Sequence, residues 1–143
     1  MAEDNCLFCR IVSGEVPAVI VYEDEDSIGF LDHRPLFPGH TLLVPRKHVE
    51  TLGDLPTAQV GPFFKTVQLL SLAVEAGLEA EGTFIAMNNR VSQSVPHLHV
   101  HVVPRRKKDG LKGFFWPRTK YKNEEEMLAV KRSIESAIAT IKK

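Results

Sequence analysis

Between Pro96 and Pro104 the chain reads His97-Leu98-His99-Val100-His101-Val102-Val103, with histidine and aliphatic residues in alternation. Only extended backbone sorts such a run into two faces, because successive side chains of a strand point in opposite directions, whereas a helix scatters a period of two around its axis. Leu98, Val100 and Val102 then belong to a core, and three imidazoles share the opposite face. Chance clustering of the six histidines, or an exposed strand face whose rings find ordinary partners, would account for the pattern without chemistry. Two chemical readings stand beside these. Imidazole is a common metal ligand and an i, i+2 spacing can chelate. It is also a nucleophile and an acid–base group near neutral pH. The alternation does not choose between them, but the following Arg105-Arg106-Lys107-Lys108 suits an anion better than a bare cation.

The rest of the chain supplies a sheet for this strand. Ala18 to Glu23, Ser27 to Leu31, Thr41 to Val44 and Thr83 to Met87 read as further strands, and Leu98 to Val103 is the fifth. The loop from Asp32 to Gly39 holds two prolines and a glycine and breaks regular structure. Val60, Phe63, Phe64, Val67, Leu70, Ser71 and Val74 recur at helical spacing. Pro62 is awkward deep in a helix, so a short first piece and a main helix from about Pro62 are expected, with Asp54 or Thr57 capping the start and Gly77 the end. A second helix starts at Asn123, a capping residue with Glu126 three positions on, and carries the stripe Met127, Val130, Ile134, Ile138, Ile141. The connections leave little room for crossover helices, which favours hairpins. The expected class is α+β: a five-stranded antiparallel sheet with one long central helix and a C-terminal helix. The expected organisation is a single domain over residues 1–143, with 105–143 as a C-terminal extension made of an aromatic segment and the helix.

Charge narrows the partners. The 143 residues carry 18 Lys+Arg and 18 Asp+Glu, so bulk attraction to nucleic acid or to an anionic membrane is not expected, while a local anion site is. The opening Met1-Ala2-Glu3-Asp4-Asn5 lacks a signal-peptide pattern, and no run is long and apolar enough to span a bilayer. A cytoplasmic, reducing setting is therefore expected. There Cys6 and Cys9, the two cysteines of the chain, read as half a metal site or as a redox dithiol.

Several segments together resemble the histidine triad (HIT) superfamily of nucleotide hydrolases and transferases. His97 to Val103 is similar to its His-φ-His-φ-His-φ-φ signature, where φ is aliphatic. Gln93-Ser94-Val95 resembles the phosphate-binding turn. Phe30-Leu31-Asp32-His33-Arg34-Pro35 and Pro38-Gly39-His40-Thr41-Leu42-Leu43-Val44-Pro45 resemble the ribose-binding loop and the strand after it. Cys6-Leu7-Phe8-Cys9-Arg10-Ile11-Val12-Ser13-Gly14-Glu15-Val16-Pro17 resembles the N-terminal segment of zinc-containing members. The likeness runs from about residue 5 to 105, in the same order.

The resemblance implies roles. His99 would be the nucleophile towards the α-phosphate of a purine nucleotide derivative, His101 would contact the phosphate oxygens, and Ser94 with backbone near Gln93 would bind the same group. Asp32 would accept from the ribose hydroxyls, while Phe8, Ile11 and Phe30 form the slot for the base. His33 stands where relatives often have an aliphatic residue. Asn88 matches a polar residue reaching ribose or phosphate. Ser92 replaces a glycine common in relatives, although serine resists the backbone conformations that glycine allows. Structural zinc would be held by Cys6, Cys9, His48 and His97. A homodimer would use the helix Val60 to Gly77 and the strand Thr83 to Met87. Trp116, in Gly113-Phe114-Phe115-Trp116-Pro117, would be a core residue or reach a partner's site, and Arg105 to Lys108 would be a solvated loop or attract polyphosphate. The implied activity is hydrolysis or nucleotidyl transfer, as with an adenosine phosphoramidate, through a nucleotidyl-histidine intermediate that leaves an AMP-like product. The alternatives are a dinucleoside polyphosphate hydrolase, a zinc-stabilised nucleotide-binding or scaffold protein with negligible turnover and, more distantly, a redox protein using the two cysteines.

Overall fold

The computed structural model describes residues 5–111 and 118–142; Gly113-Phe114-Phe115-Trp116-Pro117 lies outside them. The chain divides into two compact units, residues 1–109 and 110–143. In the first, the elements run α1 (Leu7–Val12), β1 (Ile20–Glu23), β2 (Ser27–Leu31), β3 (Thr41–Pro45), a 3-10 turn (Leu52–Asp54), α2 (Thr57–Gly77), β4 (Gly82–Ala86) and β5 (Val100–Arg105). The five strands form one antiparallel sheet in the order β1-β2-β3-β5-β4. The second unit carries α3 (Glu124–Ile141), where the Asn123 side-chain oxygen accepts from the Glu126 backbone N–H, as the capping pattern predicts.

The central strands are packed on both faces, so β3 reads Leu42-Leu43-Val44 through its middle, while β5 carries His101 among its valines. On one face Leu43, Leu98, Val100 and Val102 meet Phe63, Val67 and Leu70 of α2. On the other, Leu42 and Val44 of β3 join Ile28 and Phe30 of β2 and the α1 residues Phe8 and Ile11. Alternation along Leu42-Leu43-Val44 thus feeds two cores from one strand. Gly29 of β2 leaves room for α2: a Cβ there would lie 3.3 Å from the Leu70 Cδ1.

Several local expectations are corrected. The long helix is one piece from Thr57, with Pro62 inside it. Pro62 lacks the N–H that would meet the Ala58 carbonyl, but both residues are exposed, so water satisfies that group and one lost bond is tolerated. Neither Asp54 nor Thr57 caps this helix. Asp54 instead accepts from the backbone and hydroxyl of Thr51 in the 3-10 turn. The helix ends after Gly77, and the left-handed residue past it is Glu79, not a glycine. Strand β5 starts at Val100, so His97 and His99 precede its ladder and only His101 lies within it. The chain there is held instead by Leu98, whose N–H donates to the Val49 carbonyl. Arg105 is still strand, paired with Gly82, and its guanidinium is bonded to Asp109.

Candidate nucleotide site and metal centre

A cavity of about 710 Å³ opens beside the histidine segment. Phe8, Ile11, Phe30, Asp32, His33, Ser94, His99 and His101 line it, together with apolar groups that the sequence does not single out, among them Leu7, Val16, Val19, Leu42 and Val95. The wall is therefore mostly apolar with a few convergent polar groups, the usual make-up of a small-molecule site. Asn88 and Gln93 do not line it. The Asn88 amide donates to the Ser92 carbonyl, and the Gln93 side chain spans the loop, accepting from the Arg90 N–H and donating to the Glu50 carbonyl. Both side chains hold the loop that presents Ser94. Ser92 sits at φ +60° and Arg90 at +72°, so this loop takes left-handed conformations at two non-glycine positions, a strain of the kind that collects around functional sites.

His97 and His99 each have their proton set by a backbone carbonyl. A carbonyl can only accept, and His97 Nε2 lies 2.8 Å from the Pro45 carbonyl, while His99 Nδ1 lies 2.8 Å from the His97 carbonyl. His97 therefore carries its proton on Nε2 and keeps a lone pair on Nδ1. His99 carries its proton on Nδ1 and keeps a lone pair on Nε2. Phe8 packs edge-on against His99, with ring centroids 5.0 Å apart, which holds the ring plane. His101, by contrast, meets His40, Nδ1 to Nε2 at 2.9 Å. Burial pushes the His101 imidazole down to about 4, with His99 and His40 adding to the effect and Asp32 opposing it. Burial likewise lowers His97 to about 4, and lowers His40 against the pull of Asp32.

Behind His97 the side chains of Cys6, Cys9, His48 and His97 converge. The His97 Nδ1 is 3.4 Å from the Cys6 sulfur and 3.5 Å from that of Cys9, and the His48 Nδ1 is 3.3 Å from Cys9. Zinc bonded to thiolate at about 2.3 Å and to imidazole at about 2.0 Å makes a tetrahedral S···N edge of roughly 3.5 Å. The thiols of Cys6 and Cys9, which form no disulfide, the His48 ring and the lone pair on His97 Nδ1 fit the donor set of such an ion, with the Pro45 carbonyl fixing the His97 ring as outer support. Among the described residues, no helix is long and apolar enough to cross a membrane.

Comparison with known proteins gives the family and the fold. The HIT domain family matches residues 13–108. An uncharacterised HIT-like protein of Methanocaldococcus jannaschii is 44% identical over 107 residues, covering 73% of this chain and 82% of the relative. An adenylylsulfatase of Arabidopsis thaliana is 33% identical over 111 residues, covering 76% of this chain and 56% of that protein. Among solved structures, a zinc-bound histidine triad family protein from Mycobacterium smegmatis matches with a TM-score of 0.72 and 39% identity, over 94% of this chain and 99% of that one.

Proposed function

The chain belongs to the HIT domain family, and from that premise we propose that it is a nucleotide hydrolase or nucleotidyl transferase attacking the α-phosphate of a purine nucleotide derivative such as an adenosine phosphoramidate. The observation that carries the reading is the lone pair of His99 Nε2 on the wall of the cavity, fixed there by the Nδ1–H bond to the His97 carbonyl. In the first step Nε2 bonds to phosphorus, the bond to the leaving group breaks, and the leaving group departs with its electron pair and takes up a proton from solvent, which the attacking water of the second step returns. The ring becomes cationic, and the carbonyl of His97 accepting from Nδ1–H stabilises that charge. Water then attacks the same phosphorus, the N–P bond breaks, the monophosphate leaves, and His99 returns neutral. His101 and Ser94 would bind the phosphoryl oxygens and Asp32 the ribose hydroxyls. Phe8, Ile11 and Phe30 would enclose the base. The Arabidopsis relative, named for an adenylyl substrate, supports adenosine as the retained half.

Zinc belongs to the same reading as a structural ion on Cys6, Cys9, His48 and His97, tying α1 to the catalytic segment; when bound it supplies rigidity. A homodimer is the proposed unit. Strand β4 is one of the two edges of the sheet, and Leu69, Leu72 and Ile85 expose apolar surface on α2 and β4. The test is turnover of an adenosine phosphoramidate beside a diadenosine polyphosphate. His99→Ala should lower kcat by at least about a thousandfold while AMP still binds, as expected when a nucleophile is removed. A variant that turns over like the parent rejects the assignment. A parent that binds AMP but cleaves neither compound is a nucleotide-binding scaffold.

A further inference from the structure

We propose that His33 is a specificity-determining residue that reads the sugar: its ring donates to a hydroxyl whose proton Asp32 accepts, which makes the site selective for ribonucleotides over their deoxy counterparts. This role rests on the proposed nucleotide reading and gives a task to a residue that the reading leaves without one.

Five residues on the cavity wall carry polar side chains, Asp32, His33, Ser94, His99 and His101, and the others are apolar. Under the proposed function Ser94, His99 and His101 serve the phosphoryl group and Asp32 serves the diol, so His33 is the polar group left over. Its side chain is 84% exposed, so packing does not account for it. The backbone beneath it is nevertheless fixed. Asp32 Oδ1 accepts from the Arg34 N–H at 2.9 Å, which closes an Asx turn with His33 as its central residue. The Asp32 N–H donates to the His40 carbonyl at 2.9 Å, which anchors the start of that turn. One carboxylate therefore holds the turn that carries the imidazole beside it.

The gap between ring and carboxylate suits one oxygen atom. His33 Nδ1 lies 4.0 Å from Asp32 Oδ1, too far for a direct hydrogen bond. An oxygen about 2.7 Å from the carboxylate and about 2.9 Å from the nitrogen would bond to both, with an angle of about 90° between them. A small turn of the exposed ring opens that angle towards the tetrahedral value. The carboxylate can only accept, so a hydroxyl placed there gives Asp32 its proton and keeps its lone pairs for a donor. The negative charge of Asp32 draws the proton of the neutral ring to the nearer nitrogen, Nδ1, which makes His33 that donor. The deoxy compound lacks the bridging oxygen and leaves both partners to water. A surface ion pair between His33 and Asp32 would also explain their approach, but it would act on ribose and deoxyribose alike, and that difference is measurable.

The test is a binding cycle by calorimetry, using AMP, 2′-deoxy-AMP and 3′-deoxy-AMP with the full chain and with His33→Leu. The exposed position leaves the fold of the variant intact, which its melting point checks. Removing one of the two hydroxyls should weaken binding more in the parent than in His33→Leu, by about threefold to tenfold, the worth of one hydrogen bond. Removing the other hydroxyl should cost the two proteins the same. If each deoxy analogue loses as much in His33→Leu as in the parent, the proposal is overturned, whether affinity for AMP itself falls, as for a contact with the base or an effect on Asp32, or stays unchanged, as for an idle ring. Binding is read without turnover, so the two readings fail separately. A parent that binds AMP but cleaves no adenosine phosphoramidate rejects the transfer reaction while the cycle still decides the role of His33. A parent that binds AMP without this coupling rejects His33 alone, and one that does not bind AMP rejects both.

Discussion

Gly39 and Gly14 share a backbone conformation that side chains avoid, with φ of +102° and +84°, but their surroundings differ. A Cβ on Gly14 would meet nothing within 4 Å, whereas on Gly39 it would collide with Cδ1 of Leu78 and lie 3.5 Å from Pro104 Cγ. Alanine at either position pays the left-handed strain, about 1–2 kcal/mol, and both gain a similar few tenths to 1 kcal/mol from a stiffer unfolded chain. Those two effects cancel when the variants are compared. What remains is the collision. Overpacking costs roughly 1–3 kcal/mol, and here the obstacle is the tip of a Leu78 side chain that is 40% exposed, so a rotamer change relieves much of it and about 1 kcal/mol is expected. Gly39→Ala should therefore melt lower than Gly14→Ala by roughly 4–8 °C, the shift for 1 kcal/mol in a domain near 100 residues. Thermal unfolding of both, and of the pair Gly39→Ala with Leu78→Ala, measures it. The double variant should recover the collision as a coupling energy near 1 kcal/mol. Equal melting of the two single variants, or no coupling to Leu78, would refute the reasoning.

Two further outcomes are expected. Cys6→Ser should reduce bound zinc, measured by atomic absorption on protein purified without added chelator, from about one per chain to a small fraction, and its melting point should match that of chelated parent protein; zinc retained at full stoichiometry would remove Cys6 from the ligand set. Stability should fall as pH drops from about 6.5 to about 4, because the unfolded chain then takes up protons that the folded imidazoles refuse. For His101, moved from 6.5 to about 4 chiefly by burial, the loss is on the order of 1–2 kcal/mol once the ring's partial contact with solvent is allowed for. Urea unfolding across that range should show a shallower slope in His101→Gln, and an unchanged slope would contradict the assignment of a neutral buried ring.

What the sequence disclosed followed local rules. Ser27 to Leu31 is legible because its alternation is read against a turn at Asp24-Glu25-Asp26, and the strand has those bounds. The metal and cavity residues come from short motifs whose spacing survives in one dimension. The fold then adds what depends on separation. His40 stands in a quoted motif, yet its partner is 61 residues away, and no local pattern announces that contact. Two prolines and a glycine around it marked the loop, and a buried polar residue just after them was the available signal. Asn88 and Gln93 are the reverse case. Their polar character was visible, but their side chains satisfy backbone groups of their own loop and of Glu50, because strained turns need partners that only the folded chain supplies.

The histidine segment shows why residue type alone underdetermines the chemistry. His97, His99 and His101 are the same side chain at the same spacing, and a strand face would make them equivalent. Three backbone groups make them different. The Pro45 carbonyl takes the His97 proton to Nε2 and frees Nδ1 for the cysteines. The His97 carbonyl takes the His99 proton to Nδ1 and frees Nε2 for phosphorus. The Leu36 amide, acting through His40, sends the His101 proton to Nε2. Under the proposed function these are one ligand, one nucleophile and one donor, each a neutral ring in the resting protein. Since peptide groups cannot exchange donor for acceptor, the assignment persists through turnover, and the zero net charge of the chain is no obstacle to holding an anion: the phosphate meets oriented dipoles in an apolar cavity, where they act more strongly than surface charges do in water.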